Sequence, residues 1–360
     1  MTPGFELGSA IKGFAREAGF DLCGIAPVRE FAELQQFPQW IADGYGGEMK
    51  YLEARDESGA LKRTSLRRAV PWAQSVVVCA LNYNTSPPYS VQSGQPEQGW
   101  ISRYAWGSED YHDSVLRRLR QVEQSLRRAV GEDLQSRCYV DTGPLVERVY
   151  AKYAGVGWIG KNTCIINQKI GSWLFLGVIL TSLEPPAELP AADRCGSCTR
   201  CIDACPTNAF VGPYKLDASR CIAYLTIEKR GSISEELRDG MGRQVFGCDI
   251  CQDVCPWNRK APVTEAPEFQ PREGLVNPAL DWLAEISAEE FGEKFRGSAM
   301  RRAKRAGLRR NAVVAMGNSG DTRFLATLVK LQEDQDEVVA EHARWAAERI
   351  KSAEGCEPAC

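Results

Sequence analysis

Between Cys195 and Cys255 the chain places eight cysteines in two runs, and their spacing constrains the fold more than any other feature. The first run reads Cys195-x2-Cys198-x2-Cys201-x3-Cys205-Pro206. The second reads Cys248-x2-Cys251-x3-Cys255-Pro256, with Cys221 lying between the two. In a full run of this kind three close thiolates hold three corners of a [4Fe–4S] cluster, and the fourth, followed by proline, reaches the other cluster. That crossover predicts Cys195, Cys198, Cys201 and Cys255 around one cluster, and Cys205, Cys221, Cys248 and Cys251 around the second. Paired C-x2-C segments also make zinc sites, but the complete run has one thiolate too many for a simple zinc knuckle. Two neighbouring clusters carry electrons, so the remainder of the chain must contain what receives them.

A length of 360 residues predicts two or three domains with a substantial core. Fourteen cysteines would suggest disulfides in a secreted chain. The start does not read as an export signal, because Met1 to Gly19 patterns as an amphipathic helix broken by polar residues. Trp173 to Leu180, the longest strongly apolar run, is too short to cross a bilayer. Cluster thiolates also need reducing conditions, so a cytoplasmic protein without a membrane partner is expected. Cys23, Cys79, Cys138 and Cys164 stand in apolar surroundings and read as buried core thiols, while Cys356 and Cys360 read as incidental tail residues.

Residues 1–187 alternate helical and strand patterns. Asp21–Ala26, Ser75–Leu81, Ser136–Asp141 and Ile170–Thr181 read as strands, the second nearly all apolar and therefore buried. Tyr111–Val130 reads as a long helix, and Tyr83–Gly99 as a long loop of the kind that often covers an active site. A Pro-rich linker leads into the cysteine module at 188–262. The C-terminal part, 263–360, reads as helices at Ala299–Met316, Asp321–Glu333 and Asp336–Lys351, which resemble a short HEAT-type repeat.

Two patterns between Gly155 and Asn162 suggest phosphate binding and fail on inspection. As a P-loop, the segment has Asn162 where a magnesium-binding Ser or Thr is needed. As a dinucleotide turn, it follows a helical stretch (Leu145–Ala154) where a strand is required. A glycine loop carrying Lys161 and Asn162 can still wrap a large polar cofactor, or be a plain tight turn. Asp141 stands at the end of a strand before Thr142-Gly143-Pro144, placed either as a helix cap or as a general acid, and spacing alone favours the cap. The two histidines, His112 and His342, limit imidazole chemistry. Asp110-Tyr111-His112 begins a DxHxxG cobalamin signature, but Val115 replaces its glycine, so His112 reads as a helix-start residue.

From Arg296 to Arg310 the chain holds seven basic residues and no acidic one, against a net charge of −3 overall. On a continuous helix Arg301, Arg305 and Arg309 share a face, with Arg302 beside them. Such a stripe repels itself, and a phosphate-rich partner would neutralise it. A local RNA-docking helix is favoured over a solvated face.

Taken together, Ser102–Gly107 with Asp110-Tyr-His112, Val140-Asp-Thr-Gly-Pro144, Gly157-Trp-Ile-Gly-Lys-Asn162, the eight cysteines and the basic Ala299–Asn311 segment resemble the epoxyqueuosine reductase family over nearly the whole chain. The resemblance implies an α+β protein: a nitroreductase-like N-terminal domain holding cobalamin, base-off and without a histidine ligand, then a bacterial ferredoxin-like two-cluster module, then the HEAT-like helices. It implies reduction of epoxyqueuosine to queuosine at the tRNA wobble position, the last step of queuosine biosynthesis. Electrons would come from an external low-potential donor through the clusters to cobalamin. By the same resemblance Asp141 is the proton donor, with its carboxyl pKa raised by burial. Tyr104, Lys161 and Asn162 would line the corrin, with Gly171, Ser172 and Trp173 on the next strand and Arg63 or Arg67 reaching it. Arg301, Arg302, Lys304, Arg305, Arg309 and Arg310 would dock the anticodon stem-loop. Three rivals stand beside this reading: a reductive dehalogenase, an electron-carrier subunit, and a tRNA-binding scaffold with structural clusters. No unclaimed apolar helix face stands out, so a monomer is expected.

Overall fold

The apolar run at Ser75 becomes the middle of the fold because both of its faces are covered. In the computed structural model, which describes residues 3–86, 88–92 and 94–354, Cys356 and Cys360 lie outside the described residues. The strands are β1 (Leu22–Pro27), β2 (Ser75–Asn82), β3 (Trp100–Ile101), β4 (Ser136–Tyr139), β5 (Trp158–Ile159), β6 (Ile165–Ile166), β7 (Leu174–Thr181), β8 (Phe210–Gly212), β9 (Lys215–Leu216) and β10 (Gln244–Phe246). Four of them form an antiparallel sheet in the order β1-β2-β7-β4, with Ser75 opposite Thr181 and Leu22 opposite Ala80.

Alternation along β2 divides the core in two. Val76, Val78 and Ala80 face Leu145 and, on the helix Glu147–Tyr153 that follows it, Val149 and Tyr150. Val77, Cys79 and Leu81 face the helices Pro3–Glu17 and Tyr111–Val130 through Ile11, Val115, Leu119 and Val122. Full burial of each such Val or Leu contributes roughly 1.5–3 kcal/mol. Gly177 of β7 lets the long helix lie directly on the sheet, since a Cβ there would press on Val115 and Leu119. The helix starts where expected, with Asp110 capping it by accepting from the His112 N–H.

Beyond the sheet the units interlock. β3 pairs in parallel with β10, across the cysteine module. Trp100, Ile101 and Trp106 share one apolar core with Val245, Phe246 and the C-terminal helices Lys304–Ser319 and Glu337–Glu354. Asp249 fastens the junction: its carboxylate accepts from Trp100 Nε1 (3.1 Å), the Arg103 N–H (2.8 Å) and the Ser102 hydroxyl. The Tyr83–Gly99 loop is drawn inwards by fully buried Arg103, which donates to the carbonyls of Thr85 and Pro88. Its Ser90 rests on Asp253, so this loop docks on the cysteine module. Among the described residues, no helix is long and apolar enough to cross a membrane.

Candidate active site

The fold gathers the cysteines into two sets. Cys201 lies within the electrostatic reach of Cys195 and Cys198, and Cys255, from the far end of the module, joins Cys195 and Cys201. Cys248 neighbours Cys221 and Cys205, and Cys251 neighbours Cys248 and Cys221. Burial raises the thiol pKa of Cys221 and Cys248, and pushes that of Cys255 up to about 11. Thiolates at such positions need a cationic centre to hold their charge. Among the described residues no three His, Cys, Asp or Glu side chains close on one point as around a single ion. Two sets of four thiols in this spacing suit two iron–sulfur clusters.

A ninth thiol was misassigned by sequence reasoning. Cys164, expected in the apolar core, lies against Cys251 in the second set. The only signal for this was its place in the glycine loop. That loop forms the β5–β6 hairpin, the reverse of what a dinucleotide turn requires. Its tip grips both cysteine segments. Lys161 Nζ donates to the carbonyls of Gly196 (2.6 Å) and Cys198 (3.0 Å), while Asn162 Nδ2 donates to the Cys251 carbonyl (3.3 Å).

The structure sets Gly171, Ser172 and Trp173 against the cysteine module and the buried Arg103. Ser172 is buried, receives Asn258 Nδ2 on its hydroxyl (2.9 Å) and donates its N–H to Asn258 Oδ1 (2.7 Å). Gly171 has a φ of +74°, and any side chain there would collide with the same asparagine. Trp173 is fully buried beneath the Arg103 guanidinium. Gly171 and Ser172 thereby brace the cysteine module through Asn258. Lys161 and Asn162 have the same use for their side-chain donors.

Asp141 follows β4, just where the chain turns off the sheet edge, with a φ of +56°. It caps no helix: the helix Glu147–Tyr153 begins at Val146 without a side-chain cap. It is also exposed, contrary to the burial expected from sequence. Its Oδ2 accepts from the Tyr111 hydroxyl at 3.1 Å. Tyr111 is held flat on Phe175 (centroids 4.4 Å apart, planes 1° apart) and edge-on to half-buried Tyr104 (5.8 Å). Burial, then the Asp141 charge, raises the pKa of both phenols above the ordinary tyrosine value. A half-buried carboxyl of this region is Glu147, which sequence reasoning did not single out as a site residue. Its Oε1 is buried without a partner, and burial followed by Asp141 pushes its pKa up to about 7.

The two imidazoles are placed differently. His112 Nδ1 is hydrogen-bonded to Asp110 at 2.7 Å and its ring lies 4.0 Å from that of Tyr111. His342 is fully buried, between the Ile233 N–H and the Val338 carbonyl. Arg63 donates to the carbonyls of Gly143 (3.1 Å) and Tyr51 (3.1 Å), tying the Asp141 turn to the segment before it, whereas Arg67 turns away to the Val28 carbonyl (3.0 Å).

The basic stretch is not one helix. A 3-10 turn covers Ala299–Ala303, Lys304 takes a φ of +60°, and the helix Lys304–Ser319 starts afresh. Arg301 therefore leaves the expected stripe. Arg309 and Arg310 are buried: Arg309 pairs with both oxygens of Asp334 and donates to the Ala284 carbonyl, and Arg310 donates to the carbonyls of Leu225, Lys229 and Gly231. Arg305 donates to the Ile286 carbonyl and Arg302 pairs with Glu228 through two bonds of 2.8 Å. Arg301 and Lys304 are exposed. Two of the six expected RNA contacts are thus parts of the core.

Comparison with known proteins agrees with this geometry. Residues 194–258 match the family model described as a 4Fe-4S double cluster binding domain, and residues 63–142 match the one described as Epoxyqueuosine reductase QueG, DUF1730. The chain is 41% identical to the epoxyqueuosine reductase of Pseudomonas aeruginosa over 96% of its own length and 94% of that protein's. It is 46% identical to that of Synechocystis over 80% and 98%. Its fold is similar to a crystal structure of epoxyqueuosine reductase with a tRNA-Tyr epoxyqueuosine-modified stem loop (TM-score 0.87, 30% identity, 98% and 95% of the two chains). With relatives this similar along almost its entire length, the chain belongs to the epoxyqueuosine reductases, a family of oxidoreductases.

Proposed function

We propose that this chain reduces epoxyqueuosine to queuosine at the tRNA wobble position, with Asp141 as proton donor. The observation that carries the reading is the Tyr111–Asp141 pair, which stands where the sheet unit, the cysteine module and the basic C-terminal turn meet. The resemblance of the fold to the stem-loop complex supports tRNA as the partner. Cys195, Cys198, Cys201 and Cys255 would hold one cluster, and Cys205, Cys221, Cys248 and Cys251 the other. We read the N-terminal unit (1–187) as nitroreductase-like, 188–262 as the cluster module, and the C-terminal helices (263–360) as HEAT-like.

The residues present fit a corrin against Tyr104, a half-buried ring beside Asp141 and Asp249; His342 is buried and His112 stands at a helix start, so we read the corrin as held without histidine. When bound, the clusters supply single electrons and cobalamin supplies a reductant stronger than any side chain. The chain's own residues do the rest. Removing the epoxide oxygen takes two electrons and two protons and releases water. Oxygen leaving carbon develops negative charge, and an acid within hydrogen-bond reach must meet it. Asp141 occupies that role, with Tyr111 fixing the carboxyl's orientation. Around Cys195 and Cys198 the neighbours Arg194, Gly196, Ser197 and Thr199 are exposed, a suitable entry for an external low-potential donor. Asp249, next to Cys248 in the chain, lies within reach of Tyr104, which suits the second set as the inner one. Such chemistry belongs in the cytoplasm, with its tRNA and reducing conditions.

The test is anaerobic incubation of reconstituted protein, cobalamin and reductant with epoxyqueuosine-containing tRNA, followed by nucleoside mass analysis. A cobalamin-dependent loss of one oxygen mass is expected. Unchanged nucleosides with clusters and corrin verified as bound would overturn the assignment.

A further inference from the structure

Beside the Asp141 turn, one large aromatic ring is left in the open. Tyr51, in the 3-10 turn Lys50–Glu53, is 49% exposed. Arg63 lies over its ring at 5.9 Å and Arg302 at 5.8 Å. The two arginines come from opposite ends of the chain, and each is held in place. Arg63 is fixed by the carbonyls of Tyr51 and Gly143, Arg302 by the Glu228 carboxylate. Gly143 belongs to the Asp141 turn, so the aromatic and the proposed acid share one support. The charge of Asp141 is felt by both Tyr51 and Arg302.

Packing among the described residues does not call for a half-exposed tyrosine with two guanidiniums at its ring. Single-stranded RNA does: bases drawn out of a loop lose their stacking, and aromatic rings or guanidinium planes restore it, while arginines meet the flanking phosphates. We infer that Arg63, Tyr51 and Arg302 form a stacking platform for an unpaired base beside the modified nucleotide, holding the loop open while that nucleotide sits at Asp141. This rests on the function proposed above, and it adds a base-binding site made jointly by the sheet unit and the C-terminal turn.

The experiment uses cluster- and cobalamin-loaded protein and an anticodon stem-loop with 2-aminopurine next to the wobble position. Wild type is expected to bind the stem-loop and quench the probe by stacking. Tyr51→Ala is expected to lose the quenching and to weaken binding about 5- to 100-fold. Tyr51→Phe keeps the ring and is expected to retain both. Iron content and the thermal midpoint check that the exposed substitution leaves the fold alone. Unchanged binding and quenching in Tyr51→Ala would overturn the platform and leave the proposed function standing. Loss of corrin absorbance with RNA binding intact would also overturn it, by moving Tyr51 to the cofactor site. A wild-type protein that binds no stem-loop would sink the function and the platform together.

Discussion

The Tyr111 phenol donates to Oδ2 of Asp141 at 3.1 Å and so fixes an exposed carboxyl on a backbone that is itself in the left-handed region. A non-glycine residue there costs on the order of 1–2 kcal/mol, a cost the surrounding turn must offset. Strain, a dedicated hydrogen bond and exposure together describe a group aimed at something outside the chain.

Replacing Asp141 by Asn should lower turnover by roughly 100- to 10,000-fold while cluster content, corrin content and stem-loop affinity stay the same. Tyr111→Phe keeps the ring stacked on Phe175 and removes only the hydrogen bond, so its loss should be about tenfold. Single-turnover rates on both variants check the order, and a Tyr111→Phe deficit larger than that of Asp141→Asn contradicts it.

Glu147 gives a pH prediction with a definite sign. Its carboxyl goes from an ordinary 4.5 to about 7 in the fold, facing Asp141, Arg63 and Arg148. Between those values the folded protein keeps a proton that the unfolded chain has released. Stability therefore falls as pH rises from about 4.5 to about 7, and this contribution is flat above that window. Glu147→Gln should lessen the fall. Urea midpoints at pH 5 and pH 8 measure it, and equal differences in both proteins would refute it.

The thiol sets predict selective iron loss. Cys255→Ser and Cys221→Ser should each retain about half the iron of wild type, from different clusters distinguishable by paramagnetic resonance. Cys164→Ser should keep the full complement, because Cys164 touches a predicted ligand without being one. Iron missing from that variant would make it a ligand.

The basic stretch should split into two classes of variant. Arg301→Ala with Lys304→Ala should weaken stem-loop binding at unchanged thermal stability, and lower the salt slope by about 1.4. Arg309→Ala strips a buried partner from Asp334 and should destabilise by about 3–5 kcal/mol. Denaturant midpoints and salt titrations separate the two.

What could be read in the sequence was whatever depends on neighbours along the chain. Tyr111–Val130 has its cap, its period and its glycine stop, and it forms over those residues. Strand β2 is legible because an all-apolar run must be buried on both faces. Arg309 and Arg310 were misread for the opposite reason: their partners are carbonyls at Leu225, Lys229, Gly231 and Ala284 and a carboxylate at Asp334, which no local pattern reveals. Charge in a sequence says nothing of which backbone folds around it. Lys161 and Asn162 were similarly obscured, since the glycine loop announces a turn without naming the segments it grips.

The parallel pairing of β3 with β10, fastened by Asp249, has a consequence for how such an enzyme can be altered. Trp100 and Trp106, far from the C-terminal helices in sequence, fill the same core as Leu308 and Met316. The cysteine module is therefore not a cartridge that can be exchanged for another. Cutting it out would expose tryptophans of the N-terminal unit on one side and the inner faces of the C-terminal helices on the other. Substitutions at the exposed rim around Cys195 and Cys198 would leave that shared interior closed.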